Sequence, residues 1–280
     1  MEQLGRVTFI GAGNMASAII AGLLAAGTTR PHQLIAYDVR PEPLEALATR
    51  HQIATTEVME EALEQASMVL LCVKPQTVPS LLPQLAKALP PSALVLSVAA
   101  GIPCRVLEAR LPAGTRVVRA MPNTPALVGV GATGIAPGEH ANQDDLALSK
   151  RLFDSVGVTV TVEESQLDAV TGLSGSGPAY VFRFAESLVS AAEAVGLSPT
   201  AALQLTTQTL LGAATLLSQS QESAAQLRER VTSKGGTTAA GLAALEEAGF
   251  SDAILSCVRA ATERATELGQ AAMRKDESTQ

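Results

Sequence analysis

Val7-Thr8-Phe9-Ile10-Gly11-Ala12-Gly13-Asn14-Met15-Ala16 is the stretch on which the reading of this chain turns. Its first four residues are apolar or Thr and predict a strand over Val7–Ile10. The run rich in Ala and Ile that follows predicts a helix over Met15–Ala26. Between them lies Gly-x-Gly-x-x-Ala. Such a pattern is weak alone, but a strand before it and a helix after it make it the turn of a dinucleotide-binding unit. Gly11 permits the tight turn, Gly13 lets backbone approach a pyrophosphate, and Ala16 lets the helix pack closely on the strand. The free N–H groups of the helix N-terminus then face the phosphates. Gly11, Ala12, Gly13, Asn14, Met15 and Ala16 are therefore cofactor-binding candidates.

Outward from this turn, short apolar runs alternate with helical patterns. Strands are predicted at Leu34–Asp38, Ile53–Thr55, Met68–Val73, Leu94–Val98, Arg116–Ala120, Gly131–Ala136 and Val158–Val162. Met68–Val73 is apolar throughout, as in a strand buried on both faces. Strands alternating with helices read as an α/β fold, a Rossmann-type doubly wound parallel sheet. After Glu163 helical periodicity takes over, with helices expected at Ser165–Thr171, Pro178–Val195, Pro199–Ser218, Ala224–Arg230, Thr237–Ala248 and Asp252–Ala272. The expected domains are residues 1–162, which bind the dinucleotide, and residues 163–280, all helical. The helical half is rich in Ala and Gly, which makes a thin core for a lone bundle, so we read it as a dimerisation domain completed by a second copy.

Composition narrows the function. The 280 residues carry a net charge of -7, are 47% hydrophobic and only 2% aromatic, and include no Trp. Neither a basic footprint nor stacking platforms are present, so nucleic acid is not an expected partner. Mean hydropathy is high, +0.24, yet no apolar run approaches the ~20 residues of a membrane span. Cys72, Cys104 and Cys257 are widely spaced, form no Cys-x-x-Cys and read as three buried thiols of a cytoplasmic protein.

Further motifs follow predicted strands and so fall at the carboxyl edge of the sheet, where ligands bind in such folds. Asp38 ends the second strand, where an acid holds a ribose 2′-OH. Arg40, two residues on, suits a 2′-phosphate. The two signals conflict, and both NADP and NAD stay open. Val73-Lys74-Pro75 and Ala99-Ala100-Gly101 end later strands, and Asn123 is set between two prolines in Met121-Pro122-Asn123-Thr124-Pro125. Val73, Lys74, Pro75, Ala99, Ala100 and Asn123 join the cofactor candidates, with surface charge the bland alternative for Lys74 and an Asx-turn for Asn123.

In the helical half, Ser174-Gly175-Ser176-Gly177-Pro178 and Ser233-Lys234-Gly235-Gly236-Thr237-Thr238 are Ser/Gly loops leading into helices. One such loop is a common cap. Two suggest a small anionic substrate, bound by N–H groups and hydroxyls. Ser174, Gly175, Ser176, Ser233, Lys234, Gly235, Gly236 and Thr237 are the substrate-binding candidates, and Thr237 also reads as a helix cap. The three histidines, His32, His51 and His140, fall outside every motif, and no metal-ligand spacing occurs. A hydroxyacid dehydrogenase needs a base for the alcohol proton, and no helical Lys or His is placed for it. Reduction of a protonated C=N bond needs none. It requires alignment of hydride and carbon, a grip on the carboxylate and a hydroxyl near nitrogen. A β-hydroxyacid-type dehydrogenase and a non-catalytic dinucleotide sensor remain the alternatives.

Six segments together, GAGNMASA from Gly11, VKPQ from Val73, AAGIP from Ala99, MPNTP from Met121, SGSGPAY from Ser174 and TSKGGTTAAGLAALE from Thr232, make the chain resemble the pyrroline-5-carboxylate reductases over essentially its whole length. The resemblance implies reduction of pyrroline-5-carboxylate to L-proline with NADPH, or with NADH. It implies an intertwined helical dimer, often assembled further into a decamer. It also places the substrate carboxylate on the loop Ser233–Thr237 and Thr238 beside the ring nitrogen, as the catalytic candidate. Two residues depart from the family pattern. Lys234 stands where Pro or Asn is common, and Met59 where an Asn often approaches the adenosine ribose.

Overall fold

The computed structural model describes residues 4–277. The first part alternates strand and helix: β1 (Val7–Ile10), α1 (Asn14–Ala25), β2 (Leu34–Tyr37), α2 (Pro41–His51), β3 (Ala54–Thr56), α3 (Met59–Leu63), β4 (Met68–Leu71), α4 (Val78–Ala88), β5 (Leu94–Ser97), α5 (Cys104–Glu108), β6 (Arg116–Met121), β7 (Gly131–Pro137), α6 (Gln143–Phe153) and β8 (Gly157–Thr161). Helices follow: α7 (Leu167–Val170), α8 (Gly177–Ala194), α9 (Pro199–Gln219), α10 (Ala224–Arg230), α11 (Thr237–Glu247) and α12 (Phe250–Glu277). The chain forms two compact units, residues 1–176 with 259–280, and residues 177–258.

The sheet runs β3-β2-β1-β4-β5-β6-β7-β8. Its period-two pattern feeds two cores at once. Val7, Phe9, Met68, Leu70, Leu94 and Leu96 point into the core under α1, α2 and α6. Ile10, Val69, Leu71 and Val95 point into the core under α3, α4 and α5. This is why the central strands are apolar throughout: neither face meets water. Truncating a side chain such as Leu70 to Ala here costs about 2–5 kcal/mol.

The sheet is mostly parallel. The fully parallel expectation is corrected at its far edge, where β7 pairs antiparallel with β6 and β8 runs parallel to β7. The physical reason is the connection. Only residues 122–130 join β6 to β7, with a single 3-10 turn at Thr124–Val128. A parallel neighbour needs a crossover of a dozen or more residues. Before β8, α6 supplies such a crossover, opened by an Asn142 capping box.

In the second unit only Ala202 and Thr206 are fully buried, while Phe182, Leu203 and Leu211 are each more than half exposed. Ser198 caps α9 with Pro199 at its first turn, as its sequence indicates.

Candidate active site

The carboxyl ends of β1, β2 and β4 frame a cleft of about 460 Å³. Among the sequence candidates, Gly11, Gly13, Asp38, Arg40, Val73 and Lys74 line it. Gly11 has φ +101°, and a Cβ there would lie 2.8 Å from the Cys72 carbonyl oxygen, so only glycine fits. Gly13 is the N-cap of α1, with no side-chain cap on the helix. A Cβ on it would meet nothing within 4 Å. The turn therefore offers uncapped helix amides beside an open space at backbone level, which fits a pyrophosphate. Ala16 is fully buried, consistent with its packing role.

Asp38 stands directly after β2, one residue past the observed end of the strand expected over Leu34–Asp38. Its carboxylate accepts hydrogen bonds from the Ala12 N–H at 3.0 Å, the Arg40 N–H at 3.1 Å and the Arg40 Nε at 3.3 Å. Burial works to raise its pKa, but the Ala12 and Arg40 donors outweigh it and hold the carboxyl below the usual value of 3.8. The acid thus braces both the glycine turn and Arg40, whose side chain is 63% exposed at the cleft rim. Beside it, burial, with Asp38 and Glu60 adding, raises the Tyr37 hydroxyl. The floor includes half-buried Cys72, whose thiol burial pushes up to about 12. Of the three thiols expected to be buried, only Cys104 is fully so; Cys72 and Cys257 are half-buried. A thiol lining a cleft and one on a half-open helical unit cannot both be sealed.

Thr77, Ser80 and Gln84 also line the cleft. The sequence reading missed them, because exposed polar residues spaced three and four apart look like any solvent face of a helix. Met59 is buried in the core. Pro75 starts the 3-10 turn beyond β4. Ala99 is buried and Ala100 exposed beyond β5. None of the histidines lines the cleft. Among the described residues, no group of three His, Cys, Asp or Glu could hold a metal, and no helix is long and apolar enough to cross a membrane.

Asn123 is committed at both ends of its side chain. Nδ2 donates to the Ser174 carbonyl at 3.0 Å, and Oδ1 accepts the Ala132 N–H at 2.8 Å. Neither contact is an Asx-turn; the residue ties the β6–β7 connection to the segment carrying Ser174. That segment corrects another expectation. Thr171–Gly175 is a π-turn, not an open loop, and the Ser176 N–H bonds back to the Thr171 carbonyl. Ser174 Oγ donates to the Val170 carbonyl at 3.1 Å. The segment follows α7 without unwinding, because its hydroxyls and N–H groups find partners one turn back.

In the second unit, Ser233, Lys234, Gly235 and Gly236 lie in the turn between α10 and α11, and Thr237 and Thr238 open α11. The N-cap of α11 is Gly236, and no side chain caps the helix, so Thr237 does not play the capping part expected of it. The Ser233 hydroxyl packs where a Cβ on Gly236 would stand. Thr237 and Thr238 occupy the first two helical positions, with Thr238 half-buried. Uncapped amides ringed by hydroxyls can hold a carboxylate without a cation.

Residues 164–268 match the family described as pyrroline-5-carboxylate reductase dimerisation, and residues 6–101 match NADP oxidoreductase, coenzyme F420-dependent. The chain is 41% identical to a pyrroline-5-carboxylate reductase of Methanosarcina acetivorans, across 95% of this chain and 98% of that protein. It belongs to the pyrroline-5-carboxylate reductase family. Among solved members, the reductase of Coxiella burnetii superposes with a TM-score of 0.91 at 36% identity, covering 95% of this chain and 99% of that one. The pyrroline carboxylate reductase of Plasmodium falciparum, solved with NADP bound, superposes at 0.83 and 30% identity, covering 94% and 98%. The pyrroline-5-carboxylate reductase fold thus accounts for both units of this chain.

Proposed function

We propose that this chain reduces 1-pyrroline-5-carboxylate to L-proline, the closing step of proline biosynthesis, with NADPH preferred and NADH also used. One observation carries the reading: the open turn at Gly11–Gly13, beside Asp38 and Arg40, stands in one chain with an uncapped Ser/Thr turn at Ser233–Thr238. Bound NADPH supplies a hydride, and with one proton the C=N bond becomes a secondary amine. The α1 amides and Gly13 hold the pyrophosphate, and Arg40 pairs with the 2′-phosphate at the β2 side of the switch point. Val73, Lys74, Pro75, Ala99 and Ala100, beyond the ends of β4 and β5, would hold the nicotinamide half. The NADP held by the Plasmodium falciparum enzyme supports NADP as the cofactor.

Substrate binding falls to Ser233, Lys234, Gly235, Gly236 and Thr237, with Ser174, Gly175 and Ser176 as the second contributor. Thr238 is the catalytic residue, its hydroxyl orienting the ring nitrogen. The protein associates with itself through its helical half, residues 163–280, which also serves substrate binding. The exposed Phe182, Leu203 and Leu211 support a dimer, from which a decamer is assembled. Three free thiols suit a reducing compartment, and the cytoplasm is the proposed place of action.

The decisive assay follows NADPH oxidation with pyrroline-5-carboxylate and, separately, NADP reduction with hydroxyacids. Turnover of the imine alone is expected. Cofactor binding without imine turnover would leave a sensor, and turnover of hydroxyacids a dehydrogenase. Arg40→Ala should raise KM for NADPH about tenfold, the worth of one charge-assisted contact, and leave KM for NADH nearly unchanged. Sedimentation at micromolar concentration should show at least a dimer.

A further inference from the structure

Arg119 lies near the carboxyl end of β6 with its side chain 8% exposed, facing two carboxylates, Glu164 Oε1 at 3.4 Å and Asp168 Oδ1 at 3.7 Å. Each carboxylate has a second task. Glu164 Oε1 accepts the Cys104 N–H at 2.7 Å, which fixes the start of α5 directly after the Ala99–Pro103 loop. Asp168 Oδ2 accepts the Thr266 hydroxyl of α12 at 2.8 Å. One turn further along α12, Gly269 meets the same loop from the other side. A Cβ on Gly269 would stand 2.9 Å from the Gly101 carbonyl oxygen, and one on Gly101 would stand 3.1 Å from the Gly269 N. Gly101 also has φ +75°, a conformation that excludes most side chains. Gly269 and Ala265, four residues before it, are both buried. The loop that ends β5 is therefore held twice by one assembly: at its far end through Glu164, and at its middle through a contact between two glycines.

We propose that the stretch of α12 from Ala265 to Gly269 is a positioning strut that sets the Ala99–Gly101 loop for hydride transfer, with Arg119 as the hub that joins strut and loop. The inference rests on the reductase reading, which lays the nicotinamide half of the cofactor over this loop. No residue of the strut touches the reacting atoms. It acts through the loop, so its loss changes the aim of the hydride more than the hold on the cofactor. The anchoring contacts at α1, Asp38 and Arg40 belong to other strands and stay in place.

Gly269→Val is the direct test, because its Cβ alone would stand 2.9 Å from the Gly101 carbonyl oxygen, so the loop must shift, and no charge is removed. An ångström-scale misplacement costs up to about 10²-fold in rate, so kcat with NADPH and pyrroline-5-carboxylate should fall about tenfold. KM for NADPH should stay within about twofold, since the anchoring contacts persist. The deuterium isotope effect with 4-deuterated NADPH should rise as hydride transfer becomes limiting. Arg119→Met should reproduce the rise, and Arg119→Lys, which keeps the charge, should restore part of kcat. A Gly269→Val enzyme with wild-type kcat and isotope effect would reduce the contact to packing and overturn the proposal. So would a kcat that falls only with the fraction of folded protein, at an unchanged isotope effect. A wild-type enzyme that binds NADPH and leaves the imine unreduced would overturn the reductase reading itself, and the strut with it.

Discussion

At the start of α1, Gly11 is held at φ +101° against the Cys72 carbonyl, while Gly13 faces open space. At the start of α11, Gly235, at φ +72°, has the open space, and the N-cap Gly236 is filled from behind by the Ser233 hydroxyl. Both turns leave a helix N-terminus without a side-chain cap. In the first the open position is the cap itself, so a ligand can settle on backbone. In the second the cap is closed, and a ligand meets amides and hydroxyls around it. The first arrangement suits a large anion bound by its phosphates. The second suits a small carboxylate, and the role proposed for Thr238 gives its hydroxyl to the atom that reacts.

The largest expected effect lies in the second turn. Thr238→Val should lower kcat/KM by about one to three decades, the range of a positioned proton-sharing group, with the melting temperature unchanged. Thr237→Val should cost far less, and equal losses in both would erase the distinction between catalytic and binding hydroxyls. In the first turn, the Cβ of Gly13→Ala meets no protein atom within 4 Å and should leave stability intact while weakening NADPH by about 10²-fold, read as KM and as direct binding. Unchanged affinity would mean that the cofactor keeps clear of Gly13. The mirror substitution, Gly236→Ala, displaces the Ser233 hydroxyl and should raise KM for the imine about threefold to tenfold at constant kcat. Ser233→Ala should match it, and the double variant should be no worse than either single one. The smallest effect concerns Asp38. Its carboxyl is held below 3.8 in the folded chain, so its stabilising contribution is complete above that pH and is lost as the pH falls through the folded value. Thermal unfolding followed from pH 5 to pH 3 should therefore fall less steeply in Asp38→Asn than in the wild type.

The first turn was legible because each of its residues answers a local demand of backbone geometry, and strand and helix flank it in sequence. The central strands were equally plain, since six apolar residues in a row at Met68–Val73 leave no polar face. Strand direction was not written that way. β7 carries the pattern of any strand, and only the brevity of residues 122–130 distinguishes its antiparallel entry. Ser174–Ser176 misled because Ser and Gly suit both an exposed loop and a helical turn whose hydroxyls bond back to the backbone, and a hydrogen bond from Asn123, 51 positions away, helps fix that turn. The pairing of Arg119 with Glu164 and Asp168 lay wholly beyond local pattern, since its partners stand far along the chain, on the 3-10 turn Glu164–Gln166 and on α7.

The strand order also shapes the way the chain folds. Val7 pairs with Leu34 and with Met68, whereas Met68 pairs with Leu94 and Leu94 with Arg116. Every neighbouring pair but one is consecutive in the chain; β1 and β4 alone are joined across two intervening strands. Loop-closure entropy grows with the length of chain enclosed, and distant pairings form slowly. The two halves of the sheet are therefore expected to form as local units, and the seam between β1 and β4 to zip last. Pulsed hydrogen exchange during refolding should show that seam protected after the β4–β5 and β5–β6 pairs. The cleft proposed for the dinucleotide lies across that seam, so a folding chain completes it only at the end.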